Sequence, residues 1–530
     1  MTRRTRRDRR PWTVAAVALV LTTAACGSTV AGTPVAATAP STAASSSAQS
    51  SNASGGITVP PETDDPTTAD PAAPTTPMPD ADGAVGDPGI GDPYYPEAGN
   101  GGYQVDHYDV DLTYDPDSNR LDATTTVTGT VTSPERLGRF NLDLQPEMEV
   151  DSVTVSGVDA AFDRQDAELV VTPVTGLDPG SPLEVVVTYG GEPGPVSGGT
   201  ANLGDGGWFR TDAGGALALG EPTAASAWYP VNEHPADTAT FAVTAVVPDP
   251  FRVISNGIAV TDGLPDPGAG RSAFRWELGT PVASYLTTLY IDPFTTTEDQ
   301  LDDGTPILNA FAPGEERAQE VAAGTKQILE VLADRFGEYP FEAAGGIFTG
   351  QSLGFALETA TRPVYTFSAD TDLLVHELAH QWYGDDVTID RWADICLNEC
   401  FASYAPWLYH EDVDGVNPDG FWKIQMAQVV DDPDFWASPL VDMGAGEEFT
   451  RVYDRGPLAL HALRREIGDA AFDQLLSGWI STYGGRNASF DELEAFISQV
   501  AGRDMGPFVD AWFRGTTVPA EEFRYPGTLG

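Results

Sequence analysis

In His376-Glu377-Leu378-Ala379-His380 two imidazoles stand at positions i and i+4. Such positions share one face of a helix, with Cβ atoms about 5–6 Å apart. That spacing lets both rings reach a single Zn2+ at roughly 2.0–2.1 Å. Glu377, between them, is aimed at the place where a water on such an ion would sit and can take its proton. The five residues alone are only suggestive, because the same pattern also occurs on polar helices that hold no metal. A catalytic zinc usually has three protein ligands and one open position. Glu399, in Leu397-Asn398-Glu399, is the candidate third ligand. The chain between His380 and Glu399 is long enough for a turn at Gly384-Asp385-Asp386 and a returning helix. Taken singly, a glutamate in so acidic a chain is a solvated surface carboxylate. Its place downstream of the histidine pair is what marks it.

These side chains need rigid carriers. Helical periodicity runs from Glu315 to Phe336, stops at Gly337, and returns near 371–383, 394–409, 456–467, 469–482, 490–502 and 506–514. Pro406 is expected to kink the helix that carries Glu399. Before about residue 298 the pattern is strand-like. Alternation is clear over 107–114, 123–131 and 183–189, with Gly, Asp and Pro at turn spacing. The expected fold is α+β and multidomain: an antiparallel β domain over 101–297, then a mainly helical domain over 298–530.

Composition narrows the function classes. The chain has 530 residues, 28 Lys+Arg against 79 Asp+Glu, and a formal net charge of −51. A surface this acidic repels phosphate backbones, which argues against a nucleic-acid partner. Three cysteines are too few for a disulfide framework. No apolar run reaches the roughly 18–20 residues of a membrane-spanning helix. The N-terminus reads as an address. Arg3, Arg4, Arg6, Arg7, Arg9 and Arg10 precede an apolar stretch from Trp12 to Ala25, and Cys26 follows. Ala24-Ala25-Cys26 resembles the bacterial lipoprotein signal, in which residues 1–25 are removed and the cysteine is lipidated. The alternatives are an ordinary cleaved signal with an incidental cysteine, or the twin-arginine route. Residues 26–100, rich in Ala, Ser, Thr and Pro, are expected to form a disordered tether.

The stretch His376-Glu377-Leu378-Ala379-His380-Gln381-Trp382-Tyr383-Gly384 followed by Leu397-Asn398-Glu399 resembles the gluzincin metallopeptidases of the aminopeptidase N family. The resemblance extends over most of 103–530. Glu221-Pro222-Thr223, Tyr229-Pro230, the stretch from His234 to Phe241 and Val253-Ile254-Ser255-Asn256-Gly257 are similar to that family's saddle-like β domain. Phe336-Gly337-Glu338-Tyr339-Pro340-Phe341 is similar to the entry into its thermolysin-like domain. The resemblance implies one zinc per chain on His376, His380 and Glu399, and Glu377 as general base. It implies that Tyr453 stabilises the tetrahedral oxyanion; without it, Tyr453 would be read as a core aromatic beside a helix. Glu358, in Ala356-Leu357-Glu358-Thr359, would hold the substrate's α-amine, with Glu221 as a second amine contact. The implied activity is that of a zinc aminopeptidase acting on peptides with a free N-terminus. The cell envelope is the expected location, through lipidated Cys26 on the outer face of the membrane, or as a secreted protein.

Several positions depart from the family pattern. Phe355 replaces the first Gly of the substrate motif and Thr359 its Asn, which loosens the expected peptide register. Cys396 and Cys400 replace the Trp before and the Gly after Leu-Asn-Glu. They are read as two small buried thiols in preference to a disulfide, because a helix strains a bridge at i, i+4. The short tail after Trp512 leaves no room for the helical C-terminal domain of longer members. His107, His234, His410 and His461 match no family role and are read as structural or surface residues. The rival readings are a metalloendopeptidase or epoxide hydrolase of the same family, and a non-catalytic scaffold that keeps the fold.

Overall fold

In the computed structural model of the protein, residues 78–197 and 204–530 are described. The expected signal segment, with Cys26, and most of the expected tether lie outside them. The alternation around residue 110 becomes the hairpin Tyr103–Asp115 and Arg120–Val131, paired in register from Tyr103 with Val131 to Asp115 with Arg120. Val110, Leu112, Leu121 and Val127 are buried along it, each contributing roughly 1.5–3 kcal/mol by leaving water. An eight-stranded sheet grows around this hairpin. Its pairs are antiparallel except where Thr238–Pro248 runs parallel to Tyr103–Asp115. A five-stranded sheet contains Ala216–Leu219, which delivers Glu221 just beyond its end.

The second body opens on another five-stranded sheet. Thr295–Gln300 and Pro306–Phe311 form its first hairpin, so the boundary expected at 297/298 falls inside a strand and the body begins near 295. The sheet ends on two short strands, Val364–Tyr365 and Ala356–Leu357, and Glu358 follows the latter directly. The remainder is mainly helical. Residues 75–530 form one compact unit, in which these sheets and helices pack on one another.

Three expectations need correction. The end of the expected tether is not a tether: Ala84–Val85 pairs with the strand Leu137–Asp143, and Asp92 and Asn100 are buried. The aromatic and amide side chains of 92–100 supply apolar surface and hydrogen bonds that the Ala/Ser/Thr-rich stretch before them lacks. Cys396 and Cys400 are bridged, with Cα atoms 4.8 Å apart. Helix bounds also shift. The stretch 315–336 breaks at Gly324 into Glu316–Ala322 and Thr325–Phe336. The helix Pro418–Val429 has no counterpart among the expected elements. The helix with Pro406 runs unbroken from Cys396 to Asp414 and stops at Gly415, whose φ of +68° suits a residue without Cβ.

Candidate metal centre and substrate cleft

The helix Thr371–Ala379 carries His376 and Glu377, and His380 caps its C-terminus still in helical conformation. Asp370 starts it by accepting a hydrogen bond from the Leu373 N–H at 3.0 Å, a cap worth about 1 kcal/mol. The chain then turns at Gly384, whose φ of +127° suits glycine and where a Cβ would crowd the Asn398 side chain. It returns in Cys396–Asp414 with Glu399 in the first turn. Tyr383 stacks on Phe401, ring centroids 4.5 Å apart and nearly parallel, and fixes the two helices against each other. The disulfide backs this turn: a Cβ on Gly456 would lie 2.7 Å from Cys400 Sγ, so only glycine lets the helix Arg455–Ile467 approach so closely.

His376, His380 and Glu399 converge. The two Nε2 atoms are 3.2 Å apart, and Glu399 Oε2 lies 3.3 Å from one and 3.5 Å from the other. Ligands on a tetrahedral ion at roughly 2.0–2.1 Å are about 3.3–3.4 Å apart, so the triangle has the size a zinc ion requires. Its chemistry fits as well. His380 Nδ1 lies 3.0 Å from the Tyr383 carbonyl, which only accepts, so Nδ1 carries the proton and Nε2 turns its lone pair inward. Glu399 Oε2 is buried and has no hydrogen-bond donor among the described residues. Burial alone would lower the pKa of His380, but the carboxylates of Glu358 and Glu399 push it up to about 10. The cavity calls for positive charge.

The remaining candidates surround this triangle. Glu377 is buried, with a carboxylate oxygen within 4.8 Å of ligand atoms of His380 and Glu358. Burial, then the charge of Glu358, raises its pKa well above the usual carboxylate range despite the favourable His380. Tyr453 is 40 % exposed, yet its hydroxyl donates to Glu399 Oε1 at 3.1 Å. Desolvation and the charge of Glu399 raise its pKa, which keeps it a neutral donor. Glu221 and Glu358 are both buried, and each has an oxygen without a donor among the described residues. Burial and mutual repulsion raise the pKa of Glu221, and burial with the Glu399 charge raises that of Glu358. A buried carboxylate without a partner is costly, and an ammonium group placed beside it offsets that cost and restores the charged form.

The Glu358 turn is clamped from both bodies. Asn256 donates to the carbonyls of Ala360 and Leu286, at 2.7 and 2.9 Å. Gln381 accepts from the Thr361 N–H at 2.7 Å and donates to the Glu358 carbonyl at 3.2 Å and to Asp385 at 2.7 Å. Sequence reasoning does not find Asp385, Tyr285 or Tyr95: Asp385 sits in what reads as a turn, and the others come from distant segments. Tyr285 accepts from Asn398 at 3.3 Å, and its pKa is raised by burial, Glu358 and Glu221. Histidines without a family role are structural. His461 lies between Tyr404 and Asp419, and His410 between Asp372 and Asp414. His234 meets Asp92, and His107 meets Thr240.

Comparison with known proteins gives the same picture. The family model described as "Peptidase family M1 domain" matches residues 325–512. The M1 zinc metallopeptidase of Deinococcus radiodurans superposes with a TM-score of 0.75 at 31% identity, covering 83% of this chain and 99% of that one. A variant of the same organism's enzyme, solved with a Tyr-Ser-Ala substrate, gives 0.74 at 31%, with 82% and 99% covered. Among curated relatives, aminopeptidase N of Streptomyces lividans is 26% identical over 312 residues, 53% of this chain and 36% of that protein. Human glutamyl aminopeptidase is 23% identical over 325 residues, 56% and 34%. The matched region spans about a third of the length of these curated relatives.

Proposed function

The chain belongs to the M1 zinc metallopeptidases, and from that premise we propose that it is an aminopeptidase, releasing N-terminal residues from peptides. The observation that carries this is the pairing of a zinc-sized ligand triangle with two buried carboxylates, Glu358 and Glu221, each with one oxygen that has no donor among the described residues. A substrate's α-ammonium supplies the missing charge. His376, His380 and Glu399 would hold the ion. When bound, it would act as a Lewis acid on the scissile carbonyl and lower the pKa of the water beside it. Glu377 takes the proton of the attacking water and passes it to the leaving amine. Tyr453 redirects its hydroxyl from Glu399 to the developing oxyanion. Glu358 and Glu221 fix the ammonium, which sets cleavage after the first residue. Carboxylates beside the ion that favour an ammonium group suit a free N-terminus better than an internal peptide bond, and a scaffold has no use for the triangle.

The test is a panel of fluorogenic aminoacyl substrates. Glu377→Gln is expected to lower kcat about 10²–10⁴-fold with zinc still bound. Undiminished turnover in that variant would refute the base assignment. The export reading is part of the same proposal: the arginine-rich start, the apolar stretch and Ala24-Ala25-Cys26 support a lipid anchor. Mass spectrometry of the cell-derived N-terminus should find a diacylated Cys26, and Cys26→Ser should release the protein from membranes. An unmodified Cys26 would remove the anchor.

A further inference from the structure

The segment between Trp436 and Arg455 contains no helix or strand, and Tyr453 stands near its end. A hydroxyl that must meet a developing charge to within a few tenths of an ångström needs a fixed backbone beneath it. Leu440 and Asp442 anchor the segment through backbone bonds to the Phe513 and Ala393 carbonyls, at 2.7 and 3.0 Å. The turn that follows is held from elsewhere. The Tyr94 hydroxyl donates to Asp442 Oδ1 at 2.8 Å and accepts from the Gly444 N–H at 2.8 Å. Tyr94 lies hundreds of residues earlier in the chain, in the stretch whose composition suggested a tether.

That stretch is itself fixed at the site. Asp92, buried, accepts from the backbone N–H groups of Tyr94, Tyr95 and Trp392 at 2.7, 3.1 and 2.9 Å. The Tyr95 ring packs edge-on against Trp392, which packs against Tyr285. The Tyr95 phenol also feels the charges of Glu448 and Glu221, which together with burial raise its pKa. The strap thus reaches the loop of Tyr453 through the Tyr94 hydroxyl and the backbone before the Glu399 helix through Asp92.

We propose that Tyr94 is a positioning residue for the reaction: by pinning Asp442 and Gly444 it fixes the segment that presents the Tyr453 hydroxyl. The inference rests on the role proposed for Tyr453. Tyr94 touches neither substrate nor ion. Its removal should therefore act on the transition state through Tyr453 and on nothing else.

A double-mutant cycle on the full-length, zinc-loaded protein separates this from a general loss of stability. Tyr94→Phe keeps the ring and removes both hydrogen bonds. It is expected to lower kcat three- to tenfold, with KM within twofold and one zinc per chain. A phosphinic dipeptide that mimics the tetrahedral state should weaken by the same factor. In a Tyr453→Phe background the added Tyr94→Phe should change kcat less than twofold. Tyr103→Phe, which removes a buried bond to the Asn141 carbonyl in the β body, should leave kcat unchanged. Equal losses from Tyr94→Phe with and without the Tyr453 hydroxyl would overturn the proposal, as would no loss of kcat in the single variant. A parent protein that binds zinc but cleaves no free-amine substrate would instead overturn the aminopeptidase reading.

Discussion

At the proposed metal end of the cleft, all three candidate ligands lie between His376 and Glu399, on or at the end of two helices held together by the Tyr383–Phe401 stack. At the proposed amine end, Glu221 follows a strand of the β body and Glu358 follows a two-residue edge strand of the second. The metal end is local and its geometry is set by helical spacing. The amine end exists only when the two bodies are assembled. Damage at the first should abolish chemistry, whereas damage at the second should change which substrates are used.

Substitutions at the two ends sharpen this contrast. Glu399→Ala should have the largest effect, because it removes a ligand: zinc per chain, measured by atomic spectroscopy after dialysis, should fall well below one, and activity should fall with it. Retention of stoichiometric zinc would break the metal-end assignment. Glu358→Ala comes next. It should keep full zinc and lose about 10²-fold in kcat/KM on free-amine substrates, the worth of roughly 2.7 kcal/mol of charged hydrogen bonding. An equal loss on N-acetylated substrates would show that the carboxylate does not read the amine.

The disulfide tests how far the metal end depends on its backing. Cys396→Ala with Cys400→Ala should lower stability by about 2 kcal/mol, the loop-closure contribution for so short a loop, in urea unfolding monitored by circular dichroism. Because Cys400 packs on Gly456, zinc should also be lost to a chelator sooner than in the parent. Unchanged chelator kinetics would make the bridge irrelevant to Glu399. The smallest effect is electrostatic. Hydrogen bonds to Asp372 and Asp414 raise the His410 pKa to about 9 from the ordinary 6.5, against the opposing effect of burial. A raised histidine stabilises the fold fully below pH 6.5, and the contribution is lost as pH rises through about 9. Melting temperature should decline across that window, and less steeply in His410→Gln. Identical slopes would show that this link between the two ligand helices carries no stability.

The same contrast explains what the sequence revealed. The His-Glu-x-x-His spacing and Leu397-Asn398-Glu399 were legible because helical periodicity turns separation along the chain into distance in space. So were the strands around Val110, where buried and exposed residues alternate. Tyr285 and Tyr95 were not legible, since no local pattern announces which distant segment a residue will meet, and Asp385 was not, since it sits in what reads as a turn. The order in 84–100 was hidden by the composition of the residues before it. The bridge between Cys396 and Cys400, in the first turn of its helix, ran against the expectation from regular helix geometry.

The aminopeptidase assignment is tested most directly by kcat/KM of the zinc-loaded protein for a peptide with a free N-terminus and for the same peptide N-acetylated. Cleavage after the first residue of the free peptide, at least about 10²-fold faster than any cleavage of the acetylated one, is the predicted result. Equal rates on the two would contradict it.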